Sequence, residues 1–277
     1  MAEFKGFRGW YHKHQHHGRT LALIPGRAQD RAFIQVITDE SSYVAEYGLD
    51  EYEEGACVRV GSSTFSAQGA RLNIQTPDLT LTGHIRYGPF TVPRTNVMGP
   101  FRHLPMECKH GVVSLLHALH GQVALNGEPW PFEGGRGYIE TDSGTSFPKA
   151  YTWVHSNDFE TPCSVMAAVA EIPLFGLTFT GCVCLIWIEG KEYRLATDRG
   201  VKVLENRPGR LILRQGRARL EIEVDGGTGH RLLAPQAGTM CRTVREVASC
   251  PAWFRFEVGG QVILDASSEQ TSYELVP

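Results

Sequence analysis

The chain has 277 residues, 42% of them hydrophobic, and 27 basic against 30 acidic side chains, a net charge of -3. That length buries a real core in one large or two modest domains, and the charge leaves no basic footprint for nucleic acid. The amino terminus, MAEFKGFRGWYHKHQHH, lacks the apolar core of a signal peptide, which gives a cytoplasmic expectation.

In chain order the pattern is mostly strand. His12, His14 and His16 alternate, so all three project from one face with a spacing that zinc accepts. Three imidazoles are only part of a site and no carboxylate stands beside them, so neither metal nor other cofactor is expected. Ala32 to Ile37, Cys57 to Val60, Leu72 to Gln75 and Leu79 to Ile85 are short, rich in β-branched residues, and separated by turn formers. Gly111 to Gly121 suits a strand or a helix turn equally, because its leucines fit both periods. His103, His110, His117 and His120 lie in the stretch before the first hairpin, where Glu107 with His110 could supply a base. Gly121 to Leu125 then turns at Asn126-Gly127, a hairpin signal.

The stretch Gly137 to Phe159, GYIETDSGTSFPKAYTWVHSNDF, sets two carboxylates and a lysine among aromatics. Alternation puts Tyr138, Glu140 and Asp142 on one strand face, and Tyr151, Trp153, His155 and Asn157 on one face of the next. Gly144 and Pro148 bracket the turn between them. Acids among aromatic surfaces are what protonation of an apolar molecule needs. The competing reading is a solvated strand face, with Lys149 an ion-pair partner and Trp10 a packing residue.

Cys163 to Ala170, Leu211 to Gln215 and Leu220 to Val224 read as further strands, and Phe254 to Val258 turns at Gly259-Gly260 into Gln261 to Leu264. The apolar run Leu174 to Ile188 is shorter than the roughly 18 residues a bilayer span needs and reads as buried strand. Seven cysteines without a CxxC pair read as reduced thiols. No GxSxG, P-loop, GxGxxG or HExxH occurs, which leaves serine hydrolase, nucleotide and zincin readings unsupported.

A faint repeat organises the chain. The turns Asn126-Gly127 and Gly259-Gly260 are 133 residues apart, Met106-Glu107-Cys108 and Met240-Cys241-Arg242 are 134 apart, and Gly9-Trp10-Tyr11 echoes Gly137-Tyr138-Ile139 at 128. Two related antiparallel barrels, residues 1-130 and 131-277, are the expected division.

The residues Tyr138, Glu140, Gly144, Phe147, Pro148, Lys149, Trp153, Asn157 and Phe159 resemble a block of the tocopherol cyclase family. Gly9-Trp10-Tyr11 with Lys13, Leu232 to Pro235, and Phe254 to Ser267 are similar to the family's ends, so the likeness runs from about residue 4 to 275 and is nearest the bacterial branch. Plant members have Lys-Asn-Trp at Thr141-Asp142-Ser143, and Met106 to His120 departs from them. The resemblance implies an all-β protein of two lipocalin-like (calycin) antiparallel β-barrels side by side. It also implies a prenylated or isoprenoid apolar ligand and acid-promoted closure of a chromanol ring.

On that reading Glu140 or Asp142 donates the proton and His110 or Glu107 takes the phenol proton. Trp10, Tyr138, Phe147, Lys149, Tyr151, Trp153 and Asn157 form the binding surface. A membrane-borne substrate would add peripheral membrane contact, although no basic amphipathic helix is visible. A non-catalytic lipid carrier and an alkene hydratase or isomerase are the alternatives.

Overall fold

The computed structural model describes residues 4–174 and 176–277. Its strands form two antiparallel sheets, one from Phe7 to Gly144 and one from Tyr151 to Val276. Each curls round its own apolar cluster. Leu21, Ile34, Phe65, Ile74, Leu81 and Leu119 meet inside the first, and Val165, Ile186, Leu213, Leu220, Phe254 and Phe256 inside the second. The all-β, two-barrel architecture expected from the sequence is the one found, and the described helices are three short 3-10 turns.

Both barrels are built alike. In the first, the opening strand Phe7–His16 lies between Arg19–Arg27 and the closing strand Gly135–Gly144. In the second, Tyr151–Ser156 lies between Cys163–Leu174 and the closing strand Gln261–Val276. The repeat is thus real at the level of topology, but its boundary lies elsewhere. The chain passes from one sheet to the other between Gly144 and Tyr151, because Glu128–Pro131 and Gly135–Gly144 both pair with Cys108–Leu125 of the first sheet. Gly137-Tyr138 therefore belongs to the last strand of the first barrel, not the first strand of the second.

Local chemistry explains the elements. Asn126 and Gly127 have φ of 50° and 85°, and Gly259 and Gly260 have 63° and 85°, the positive pair that a two-residue hairpin turn requires. The ambiguous Gly111 to Gly121 segment is strand throughout, part of Cys108–Leu125. Register shifts at Val112/Ser114 and Ser114/His117 break its alternation, which is why its leucines mimic a helical period. Leu174 to Ile188 falls in the hairpin of Cys163–Leu174 with Leu177–Ile188, and no helix among the described residues is long and apolar enough to cross a membrane. All seven cysteines are free.

The barrels meet through faces that are apolar as well. Ala32–Thr38 and Tyr151–Ser156 are buried at every position, one face in a barrel and the other in the seam between barrels. Tyr11, Leu115 and Tyr138 of the first barrel pack there with Tyr151, Trp153 and Met166 of the second. Side-chain amides stitch the seam: Gln35 Nε2 donates to the Leu233 carbonyl at 2.9 Å and its Oε1 accepts the Leu233 N–H at 2.7 Å. Asn157 Nδ2 donates to the Gly137 carbonyl at 3.1 Å.

The histidines do not converge as a zinc set. His12 and His14 point into the first barrel, both on the Tyr87 hydroxyl, while His16 stacks on His17. His117 joins that interior with Nδ1 on Ser114 Oγ at 2.9 Å, and Gly137 makes room for it, since a Cβ there would lie 2.2 Å from Nε2. Burial lowers all three, His14 to about 4 and His117 to about 3. The folded state therefore keeps them neutral while the unfolded chain takes up protons below about pH 6.5, so each costs stability on acidification. His117→Leu should flatten that acid slope by up to tenfold in unfolding constant per pH unit between pH 6 and 4.5, measured by denaturant titration. An unchanged slope would contradict a neutral His117.

Candidate active site

The seam opens into a cavity of about 200 Å³ walled by both barrels and overwhelmingly apolar. Phe7, Trp10, Phe147, Tyr151 and Trp153 supply aromatic surface, and Met98, Phe101 and Met106 close one side. An engineered cavity of about 150 Å³ admits benzene, so this space holds one ring and a few further atoms. Five titratable groups in its wall stand out: His110, Glu140, Asp142, Glu246 and Glu274.

Glu140 projects from Gly135–Gly144 on the face shared with Tyr138, while Ile139 between them enters the first barrel's core. Its Oε2 accepts from Tyr138 Oη at 2.5 Å and from Trp153 Nε1 at 3.1 Å, and His110 Nε2 lies 3.6 Å away. All three converge on one oxygen. Among the described residues Oε1 has no protein partner, which leaves it to carry a proton. His110 sits across the ladder from Asp142 and bonds it through Nδ1 at 3.0 Å.

Burial is the largest influence on Glu140 and pushes it up to about 7, opposed by His110 and reinforced by Asp142. Burial works the other way on His110, but the charges of Asp142 and Glu140 outweigh it and hold the imidazole up at about 9. At neutral pH the site therefore has a cationic imidazolium beside a carboxyl that retains its proton for part of the time. That is the pattern of a general acid set in an apolar pocket.

Across the cavity stand two acids that the sequence reading did not single out. Glu246 and Glu274 are direct partners in the ladder of Thr239–Val258 with Gln261–Val276. Tyr11 Oη donates to Glu246 Oε1 at 2.5 Å, and Tyr151 Oη donates to Glu274 Oε2 at 2.6 Å. Lys13 is buried behind them with Nζ on the Gln270 carbonyl at 3.0 Å, and burial lowers it to about 7. Tyr11 was legible only as part of the Gly-Trp-Tyr step. Glu246 and Glu274 lie in bulged strands where alternation fails, so period-2 counting could not assign their faces.

Of the residues singled out from sequence, Glu140, Asp142, His110, Trp10, Phe147, Tyr151 and Trp153 come together on the cavity wall. Tyr138 stands directly behind it, bonded to Glu140 and stacked on His155 with centroids 3.6 Å apart. Three stand elsewhere. Glu107 is exposed and contributes only its carbonyl, which accepts from the Thr145 and Ser146 amides. Lys149 is exposed on the turn, its carbonyl accepting from Arg242. Asn157 is a buried staple to Gly137. The physical reason is common to the first two: each lies in a connection just ahead of a strand, where its charge stays solvated.

His110, Glu140 and Asp142 also offer ligand atoms within 4.8 Å of one another, a set that could hold a divalent cation. Such binding would have to displace the protons that His110 and Glu140 keep near neutrality.

No protein-family model and no curated protein matches the chain. Solved structures do. A protein of Nitrosomonas europaea provisionally described as AttH matches with TM-score 0.59 and 14% identity over 98% of this chain and 92% of its own. Kievitone hydratase from Nectria haematococca matches with TM-score 0.62 and 11% identity over 99% and 90%, and CghA with Sch210972 with TM-score 0.62 and 10% identity over 98% and 88%. At these identities the likeness is one of fold.

The side closed by Met98, Phe101 and Met106 belongs to the connection between Thr80–Tyr87 and Cys108–Leu125, and the second barrel pins it down. Buried Arg194 donates from Nη2 to the Val97 carbonyl at 2.9 Å and pairs with Asp198 at 2.6 Å. Gly99, at φ 55°, comes so close that a Cβ would lie 2.7 Å from Arg194 Nη2. Arg194→Met removes these bonds and strands Asp198. Limited trypsin digestion should then cut at Arg94 or Arg102 roughly tenfold faster, tracking the local opening free energy. Cleavage at the wild-type rate would show that Arg194 is not what holds this segment.

Proposed function

We propose that this protein is an enzyme that protonates the alkene of an apolar, prenylated small molecule and lets an oxygen nucleophile capture the cation. The observation that carries this reading is Glu140, a carboxyl nine-tenths buried, raised to about 7 and facing an aromatic cavity. A carrier of apolar ligands has no use for such an acid, since burying it without function only costs stability. The kinship in fold with kievitone hydratase supports addition to an alkene as the reaction class.

On this reading each residue of the site has a role. Glu140 delivers its proton from Oε1 to the less substituted alkene carbon, while Tyr138 and Trp153 hold Oε2 and take up the negative charge that develops. The resulting tertiary cation lies among ring faces of Trp10, Tyr151 and Trp153, each contributing about 0.5–2 kcal/mol. His110, oriented by Asp142, stabilises the carboxylate once formed. The apolar wall keeps bulk water from quenching the cation.

A prenylated hydroquinone whose own phenol captures the cation gives a chromanol, which is the substrate class the residues around Glu140 resemble in sequence. Capture by a bound water gives a tertiary alcohol, the outcome that kievitone hydratase's name favours. The cavity admits one ring with its reacting isoprene unit, so a longer chain would extend past Ile172 and Phe179 toward exposed Leu177. That apolar edge suits transfer of substrate from a lipid surface.

Glu140→Gln retains an acceptor for Tyr138 and Trp153 but has no proton to give. Turnover of a prenylated hydroquinone should fall at least about 100-fold with KM changed little. Because the acid form is the active one, the wild-type rate should decline tenfold per pH unit above about pH 7. Liquid chromatography with mass spectrometry separates substrate, chromanol and hydrate. Full turnover by the Gln variant would place the acid elsewhere, and no turnover by the wild type on any prenylated phenol would set the reading aside.

A further inference from the structure

Protonating an alkene consumes one proton, and capture by a hydroxyl releases one. His110, already cationic, cannot accept it, and Glu107 is out of reach at the surface. Acceptors of another kind line the opposite wall. Glu246 and Glu274 are 2% and 8% exposed, line the cavity, and are direct ladder partners, which sets their side chains next to one another. Two carboxyls so placed in an apolar site cannot both ionise freely, and the stable form holds one proton between them.

We propose that Glu246 and Glu274 form a second proton-exchange centre, a singly protonated dyad that takes the hydroxyl proton of the nucleophile while Glu140 gives its own to the alkene. This rests on the alkene-protonating reading. In the forward step the O–H bond of the nucleophile breaks as its oxygen bonds the cationic carbon, and the proton passes to the ionised member of the dyad. Glu140 ends ionised and the dyad doubly protonated, so the proton count is conserved and no co-reactant is needed. Return of one proton from the dyad to Glu140 resets the site.

The surroundings fit that task. Tyr11 donates to Glu246 and is itself the ladder partner of Glu140, so it stands between the two centres. Tyr151 donates to Glu274 from the neighbouring strand of the same barrel. Buried Lys13 lies behind Glu246 and favours its charged form, while Glu140 and Asp142 across the cavity favour protonation of Glu274. His230, the remaining ladder partner of Glu246, turns its ring away to the Asp39 carbonyl at 3.0 Å. Burial raises both carboxyls above their ordinary range, Glu274 to about 7.

The test is the pH–rate profile of wild type, Glu140→Gln, Glu246→Gln, Glu274→Gln and the double dyad variant on an ortho-prenylated hydroquinone. The acidic limb belongs to the dyad, because a second proton removes the base. The protonated partner steadies the ionised member through the proton the two share, so its loss in Glu274→Gln should move that limb up by about a pH unit and leave the limb above pH 7 in place. The double variant should lose at least about 100-fold in kcat at pH 7. A purely structural pair would lower kcat without moving the limb. Should the double variant fail to fold, the single variants decide by the limb, with the infrared titration of the carboxyl stretch as a second readout.

An unmoved limb, with Glu246 titrating at the same pH whether or not Glu274 is present, overturns the dyad. If Glu140→Gln is dead in that case, the alkene-protonating reading survives. Full activity of Glu140→Gln, or no turnover by the wild type, brings down both.

Discussion

Everything at the centre of this molecule depends on a pair of reciprocal hydrogen bonds across the seam. Trp153 of the second barrel donates to Glu140 of the first, and Tyr11 of the first donates to Glu246 of the second. The two donors touch, with ring centroids 5.4 Å apart in an edge-to-face contact. Each acid takes a donor from the other barrel, Trp153 joining Tyr138 on Glu140 and Tyr11 serving Glu246. Docking of the barrels and assembly of the site are therefore one event.

The constraint also explains why acids are tolerated in so apolar a seam. A buried carboxyl escapes most of its desolvation cost by staying protonated, and the aromatic hydroxyls satisfy the remaining oxygen. The wall thus stores protons and confines its charge to the His110–Asp142 pair that orients the acid and the single charge of the Glu246–Glu274 dyad. That is a useful state for a site that must give a proton to a weak base such as an alkene. The interior of the first barrel uses the opposite solution, neutral imidazoles on Tyr87 and Ser114, and plays no part at the cavity.

Much of this was legible in the residues. Glu140 with Tyr138, and Tyr151 with Trp153, could be placed on converging faces because their strands are regular and alternation holds. The paired hairpin turns announced the repeat, since Asn-Gly and Gly-Gly carry the positive φ that such turns need. What stayed hidden did so for two reasons. Glu246 and Glu274 sit in strands interrupted by bulges near Val247, Cys250 and Phe256, and Tyr11 and Glu246 are 235 residues apart in sequence. The echo at Gly137 misled about the boundary because the last strand of one barrel resembles the first strand of that barrel, its ladder neighbour.

The central claim is that the fold keeps Glu140 protonated near neutrality. Carbon-detected NMR of the glutamate side-chain carboxyls, with Glu140→Gln to assign the resonance, measures this in the ligand-free protein. A Glu140 midpoint near pH 7 is the result predicted where burial outweighs the two hydrogen bonds that favour the charged form. A midpoint near the ordinary glutamate value of about 4.3 would contradict it, for the group would then be a carboxylate at every pH where the protein works.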